Sequence, residues 1–148
     1  MKIIVFCGPT LSVAEARQVI DADFRPPAKH GDIISCVYTD QPDVIILIDG
    51  VFIHDLTVWH SELNEVINQG VTVYGASAMG AIRAAEMASW GMRGVGEVFQ
   101  LFLDGTVESD DEVFFDYAFE KGAYKKDSFH CQFEGDSGRW RAGIHDLF

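Results

Sequence analysis

Basic residues are scarce in this chain: 11 lysines and arginines stand against 23 acidic residues, a net charge of −12 at pH 7. Phosphate backbones and anionic lipid headgroups repel such a surface, so neither nucleic acid nor a membrane is expected as the main partner. Small ligands, basic protein surfaces or plain solubility remain. Cysteine is sparse too. Cys7, Cys36 and Cys131 are odd in number, widely spaced and free of any Cys-x-x-Cys, which argues against a disulfide framework and against a zinc site. Cys7 ends an apolar strand and reads as a small core residue. No apolar run approaches a membrane span, and the opening Met1-Lys2-Ile3-Ile4-Val5-Phe6 enters a strand rather than a signal peptide. A cytoplasmic location is expected. There is no repeat and no Walker A lysine. The glycines of residues 91–96 follow a helix rather than a strand, so a dinucleotide fingerprint is absent as well. No metal ion or cofactor is expected.

What is present suits one α/β domain. The chain has 148 residues, 48% of them apolar, ample for a core of that size. Residues 2–7 read as a buried strand broken by Gly8-Pro9. Ser12 and Glu15 form a capping-box pattern that opens a helix to about Asp21. Phe24-Arg25-Pro26-Pro27-Ala28 must be extended. Residues 33–38 fit either a helix or a short strand. Residues 43–48 form a continuous apolar run, typical of a central parallel strand covered on both faces. An amphipathic helix is expected over 56–69, a third strand over 71–74, and a helix from Met79 to about Trp90. A glycine-rich loop, a short helix over 97–103 and one more helix from the aromatic cluster 113–119 follow. The expected architecture is a small three-layer α/β domain over residues 1–119, with a mainly parallel sheet. Residues 120–148 are expected to be a tail that is weakly ordered or depends on a partner.

The stretch Val71-Thr72-Val73-Tyr74-Gly75-Ala76-Ser77-Ala78-Met79-Gly80 places Ser77 at a strand-to-helix turn. A serine there meets the unpaired N–H groups and the positive end of a helix, and shares the geometry of nucleophile elbows. A serine is equally a preferred helix N-cap, so Ser77 has two readings. Gly75, Ala76, Ala78 and Gly80 would leave the backbone open to a ligand. Ligands of open parallel sheets sit outside the carboxyl ends of the strands. Three such ends converge: Gly8-Pro9-Thr10, Asp49-Gly50 and Gly75-Ala76-Ser77. Asp49 either caps its own loop or orients a ligand. Candidate bases for Ser77 are His54, His60, Lys29, His30 and Glu86, and spacing selects none of them. Glu86 reads best as a surface partner of Arg83.

Taken in order, Gly31-Asp32-Ile33, Ile48-Asp49-Gly50, Val58-Trp59-His60, the block from Val73 to Glu86, Gly91-Met92-Arg93-Gly94-Val95-Gly96 and Asp110-Asp111-Glu112-Val113 resemble the TfuA-like proteins. The resemblance implies a role beside YcaO enzymes, which activate peptide backbone amides with ATP so that sulfur replaces oxygen. It further implies a hydrolase-like Ser-Lys pair that releases sulfide from a thiocarboxylated ThiS-like carrier, with contacts that help YcaO hold its peptide. The family serine maps onto Ser77. The lysine that commonly follows the Trp-His pair is replaced, since the run here is Trp59-His60-Ser61-Glu62. Lys29 or His60 then serves as base, or the chain acts as a non-catalytic adaptor for YcaO or the carrier. The implied chemistry is acyl transfer, with the Ala78 and Met79 amides holding the oxyanion and Gly8, Thr10, Asp49 and Gly75 shaping the substrate site.

Overall fold

The computed structural model describes residues 1–51, 56–77, 79–106, 114–120 and 123–130. Its centre is a five-stranded, all-parallel sheet: β1 (Ile3–Phe6), β2 (Asp23–Arg25), β3 (Val44–Leu47), β4 (Thr72–Gly75) and β5 (Arg93–Gly94), in the order β2-β1-β3-β4-β5. The connecting helices are α1 (Val13–Ala16), α2 (Asp32–Asp40), α3 (His60–Asn68), α4 (Met79–Glu86) and α5 (Glu97–Leu103). A 3₁₀ turn, Ala88–Trp90, follows α4. Strand order reverses between β1 and β3, which pair with Ile4 opposite Ile45 and Phe6 opposite Leu47. In a doubly wound sheet that reversal opens a crevice at the carboxyl ends of these two strands.

The period of two along each strand assigns the faces. Ile4, Phe6, Ile45, Leu47 and Val73 join Ile33 of α2, Leu63 and Val66 of α3, Ala81 and Ala84 of α4 and Phe99 of α5 in the larger core. The alternate residues Val5, Cys7, Ile46 and Ile48 form a smaller one, flanked by Leu11, Ala22, Phe24 and Tyr74. Each fully buried isoleucine or leucine contributes roughly 1.5–3 kcal/mol, so most apolar stabilisation lies on the face that carries α2 to α5. Burial pushes the Cys7 and Cys36 thiols up to about 11, as inert core residues require.

Several expectations change. Residues 33–38 are helical because Ile33, Cys36 and Val37, spaced three and four apart, are all buried on one side of α2. The capping box at Ser12 and Glu15 is present, but α1 ends at Ala16 instead of reaching Asp21. Helix α4 stops at Glu86, four residues short of Trp90, where the chain tightens into the 3₁₀ turn. Arg93–Gly94, expected as loop, pairs in parallel with Tyr74 and Gly75. The aromatic cluster is not a helix: β6 (Phe114–Glu120) pairs antiparallel with β7 (Ala123–His130). Its alternation of Phe115, Tyr117 and Phe119 with Asp116 and Ala118 is a period of two, and aromatic residues favour strands. Strand β7 thus takes up the first part of the expected tail, while residues 131–148 lie outside the described residues. No helix among the described residues is long and apolar enough to cross a membrane.

Candidate functional site

Asp49 occupies the crevice at the sheet's reversal point. It is 1% exposed, and its carboxylate accepts hydrogen bonds from the N–H groups of Gly8 (2.7 Å) and Thr10 (3.1 Å) and from the Thr10 hydroxyl. The Leu11 amide adds to them, yet burial still pushes the carboxyl's pKa upward. Successive amides converging on one point make an anion-binding nest, and here the chain fills it with its own carboxylate. Asp49 is therefore a loop clamp, and the nest formed by Gly8 and Thr10 is closed to an external anion.

The segment after β2 crosses above this clamp. Pro27 packs against Gly8, where an added Cβ would lie 2.8 Å from Pro27 Cγ. The Ala28 N–H then donates to the Asp49 carbonyl (3.0 Å), and the Val51 N–H donates to the Ala28 carbonyl (2.9 Å). The result is a parallel bridge between Ala28 and Gly50. Lys29 follows directly and is exposed, its own N–H bound to Asp32 Oδ2 at 2.9 Å. Gly50 can carry no side chain, because the Met79 methyl fills the space where a Cβ would stand. Ala28, Gly50 and Met79 thus meet at one point, with Lys29 next to the first and Ser77 two residues before the last.

Ser77 sits between the end of β4 and the start of α4 at φ 63°, a left-handed conformation that side chains other than asparagine and aspartate rarely adopt. An ordinary N-cap residue is extended. Among the described residues nothing hydrogen-bonds to the Ser77 hydroxyl, and the residue is partly exposed. Gly75 and Gly80 have a packing reason of their own. A Cβ on Gly75 would overlap the Gly80 carbonyl, and a Cβ on Gly80 would overlap the Leu47 carbonyl. They let α4 lie directly on β3 and β4 rather than opening the backbone to a ligand. The Met79 side chain is buried against Gly50, which leaves its N–H as the part able to face a substrate. Ala78 and His54 lie outside the described residues.

His60 stands elsewhere. Its Nε2 is 2.7 Å from Glu86 Oε2, and Arg83 Nη1 binds the same carboxylate oxygen while Arg83 Nε donates to the Val58 carbonyl (3.0 Å). Glu86 ends α4, seven residues and about 10 Å along the axis from Met79. This network ties His60 to the C-terminal end of α4, about two turns from Met79. Ser61 looks onto a cleft of about 300 Å³ lined by His60, Asn64, Met87 and Trp90.

The TfuA-like protein family matches residues 49–129, more than half of the chain. The chain belongs to the TfuA-like family. That family is associated with YcaO-dependent thioamidation. No curated protein matches the chain.

Against this TfuA-like identity, Gly8, Thr10 and Asp49 come together as structure, Lys29 and Ser77 share the strand ends, and His60 does not join them. Sequence reasoning missed Glu62. This residue is 6% exposed, and its Oε2 accepts the Ile34 N–H at 3.3 Å, assisted by the Gly31 and Trp59 amides. It caps α2, whose N-cap Gly31 has no side chain to offer, and serves the start of α3 as well. Its Oε1 has no partner among the described residues, and burial pushes its pKa upward. A glutamate at the third position of a helix behind Trp59, which cannot cap, was the available signal. The His30 and Trp59 rings pack against each other at a tilt of 33°, with centroids 4.2 Å apart.

Proposed function

We propose that this TfuA-like protein serves YcaO-dependent peptide backbone thioamidation by releasing sulfide from the thiocarboxylated C-terminus of a ThiS-like carrier, with Ser77 as nucleophile. The observation that supports this most is the left-handed backbone of Ser77 at the β4–α4 turn, with no capping hydrogen bond to a described residue. Strain of this kind costs about 1–3 kcal/mol and persists where the surrounding fold over-determines it, commonly at reactive residues. Ser77 Oγ attacks the thiocarboxylate carbon as Lys29 Nζ, in its free-amine form, takes the hydroxyl proton. The tetrahedral oxyanion lies toward the Met79 N–H at the start of α4, and a donor so placed is typically worth ~3 kcal/mol. Collapse breaks the C–S bond and expels hydrosulfide, leaving the carrier esterified on Ser77. Water then cleaves the ester, so thiocarboxylate and water become carboxylate and hydrogen sulfide.

The test is sulfide release from a thiocarboxylated carrier. Ser77→Ala should abolish it, with a loss of at least about 1,000-fold. Undiminished release in that variant would remove the mechanism.

The adaptor reading is favoured by a separate observation. Trp59 and Trp90 are 51% and 58% exposed, and Trp90 borders the cleft that Ser61 faces. Exposed tryptophans are preferred anchors of protein interfaces. A chain that binds YcaO or the carrier, yet turns over no thiocarboxylate as wild type, is an adaptor alone.

A further inference from the structure

We infer that Asp49 is a positioning residue: its clamped carboxylate fixes the crossing segment that bears Lys29 beside the strand ends. The inference rests on the Ser77–Lys29 reading above. Four donors from the loop after β1 meet on this carboxylate, from Gly8, Leu11 and both the amide and the hydroxyl of Thr10. Taking a carboxylate out of water costs several kcal/mol, and a plain turn after β3 requires no such charge. The arrangement is mechanical. With the loop clamped, Gly8 forms the surface against which Pro27 rests, and the proline ring passes that constraint to Ala28 with little play. Ala28 is tied to the Asp49 carbonyl and to the Val51 amide, one residue on either side of Gly50. Gly50 in turn is wedged by the Met79 methyl from the helix that Ser77 precedes. Contacts therefore run from the Asp49 carboxylate to the neighbours of both reactive residues. Without the charge, the loop and Pro27 gain freedom, and Lys29 loses its fixed station while the sheet beneath remains paired.

The experiment uses the full chain and a fluorophosphonate probe. Ser77 Oγ attacks phosphorus, fluoride leaves, and Lys29 accepts the proton; the labelled residue is identified by peptide mass spectrometry. Wild type should label at Ser77. Lys29→Ala should slow labelling about 100-fold, and Asp49→Asn roughly tenfold, as expected for a misplaced base. The deciding reading is the double variant. If Asp49 acts through Lys29, Asp49→Asn slows Lys29→Ala no further, because the group it positions is already gone. A purely structural role would slow both backgrounds by the same factor, and that result overturns the inference. Thr10→Val, which deletes one of the four donors and keeps the volume, repeats the cycle should Asp49→Asn fold poorly. A full-rate Asp49→Asn also overturns the inference and leaves the Ser77 reading intact. Absence of Ser77 labelling in wild type, or indifference to Lys29→Ala, removes that reading and the inference with it.

Discussion

At Ser77 the backbone conformation runs against the preference of the residue type. A serine at φ 63° places Cβ against its own carbonyl, at a cost of about 1–2 kcal/mol that glycine does not bear. Ser77→Gly should therefore raise stability by about 1 kcal/mol in urea or thermal melts while sulfide release disappears. A destabilised Ser77→Gly would mean that the hydroxyl makes a supporting contact. Glu62 gives a pH-dependent counterpart. Its folded pKa is raised by burial, so the native state binds its proton more readily than the unfolded chain does. Its contribution to stability should therefore rise as pH falls from neutral through the raised value, and level off below the ordinary carboxylate range. Glu62→Gln should remove this residue's part of the slope, leaving the part due to Asp49, which is raised in the same direction. Melts of both proteins at pH 7 and pH 5 check it, and parallel curves would refute it. The turn between β4 and α4 was legible because glycine, serine and alanine follow an alternating strand. Its conformation was not, since left-handed backbone at a serine has no composition signal.

Among the elements, β3, β4, α3 and α4 were legible because their apolar residues repeat at the periods of strand and helix. Three others were not. α2 carries six residues that fit either period, and only packing against α3 selects the helix. β5 is two residues long, below what any pattern resolves. The aromatic segment alternates like a strand, but its density of large side chains also suggests a packed helix; pairing with β7 decides it. What joins α4 to the sheet is the absence of side chains. Gly80 lies on the Leu47 carbonyl and Gly75 on the Gly80 carbonyl, so the helix sits closer than any Cβ permits. Gly80→Ala should cost about 3 kcal/mol by overpacking, although alanine is the better helix former by about 1 kcal/mol. The two effects have opposite signs, so a thermal melt reads directly which wins. Unchanged stability would show that α4 can lift off β3 without loss.

Across the whole molecule, the strand ends and the far end of α4 are two distinct places, and Trp59 stands nearer the first. Lys29 and Ser77 stand over the strand ends. His60 and Trp90 lie toward the far end of α4, where Arg83 and Glu86 hold His60 in place, while the Trp59 ring rests against His30, next to Lys29. Apolar stabilisation is concentrated on the face of α2 to α5, so this outer surface is backed by the firmer core. A chain of net charge −12 repels acidic partners at long range, and exposed tryptophans are the side-chain type that anchors interfaces at short range. If these surfaces are independent, replacing Trp90 by alanine should weaken binding to a YcaO-type enzyme by about 30-fold, the loss expected for an interface anchor. Sulfide release from the free carrier should stay near wild type. Ser77→Ala should do the reverse, abolishing release while titration calorimetry finds the YcaO affinity unchanged. Loss of both properties in either variant would mean that carrier and enzyme dock on one surface, and the separation of His60 from Ser77 would then be closed by the partner.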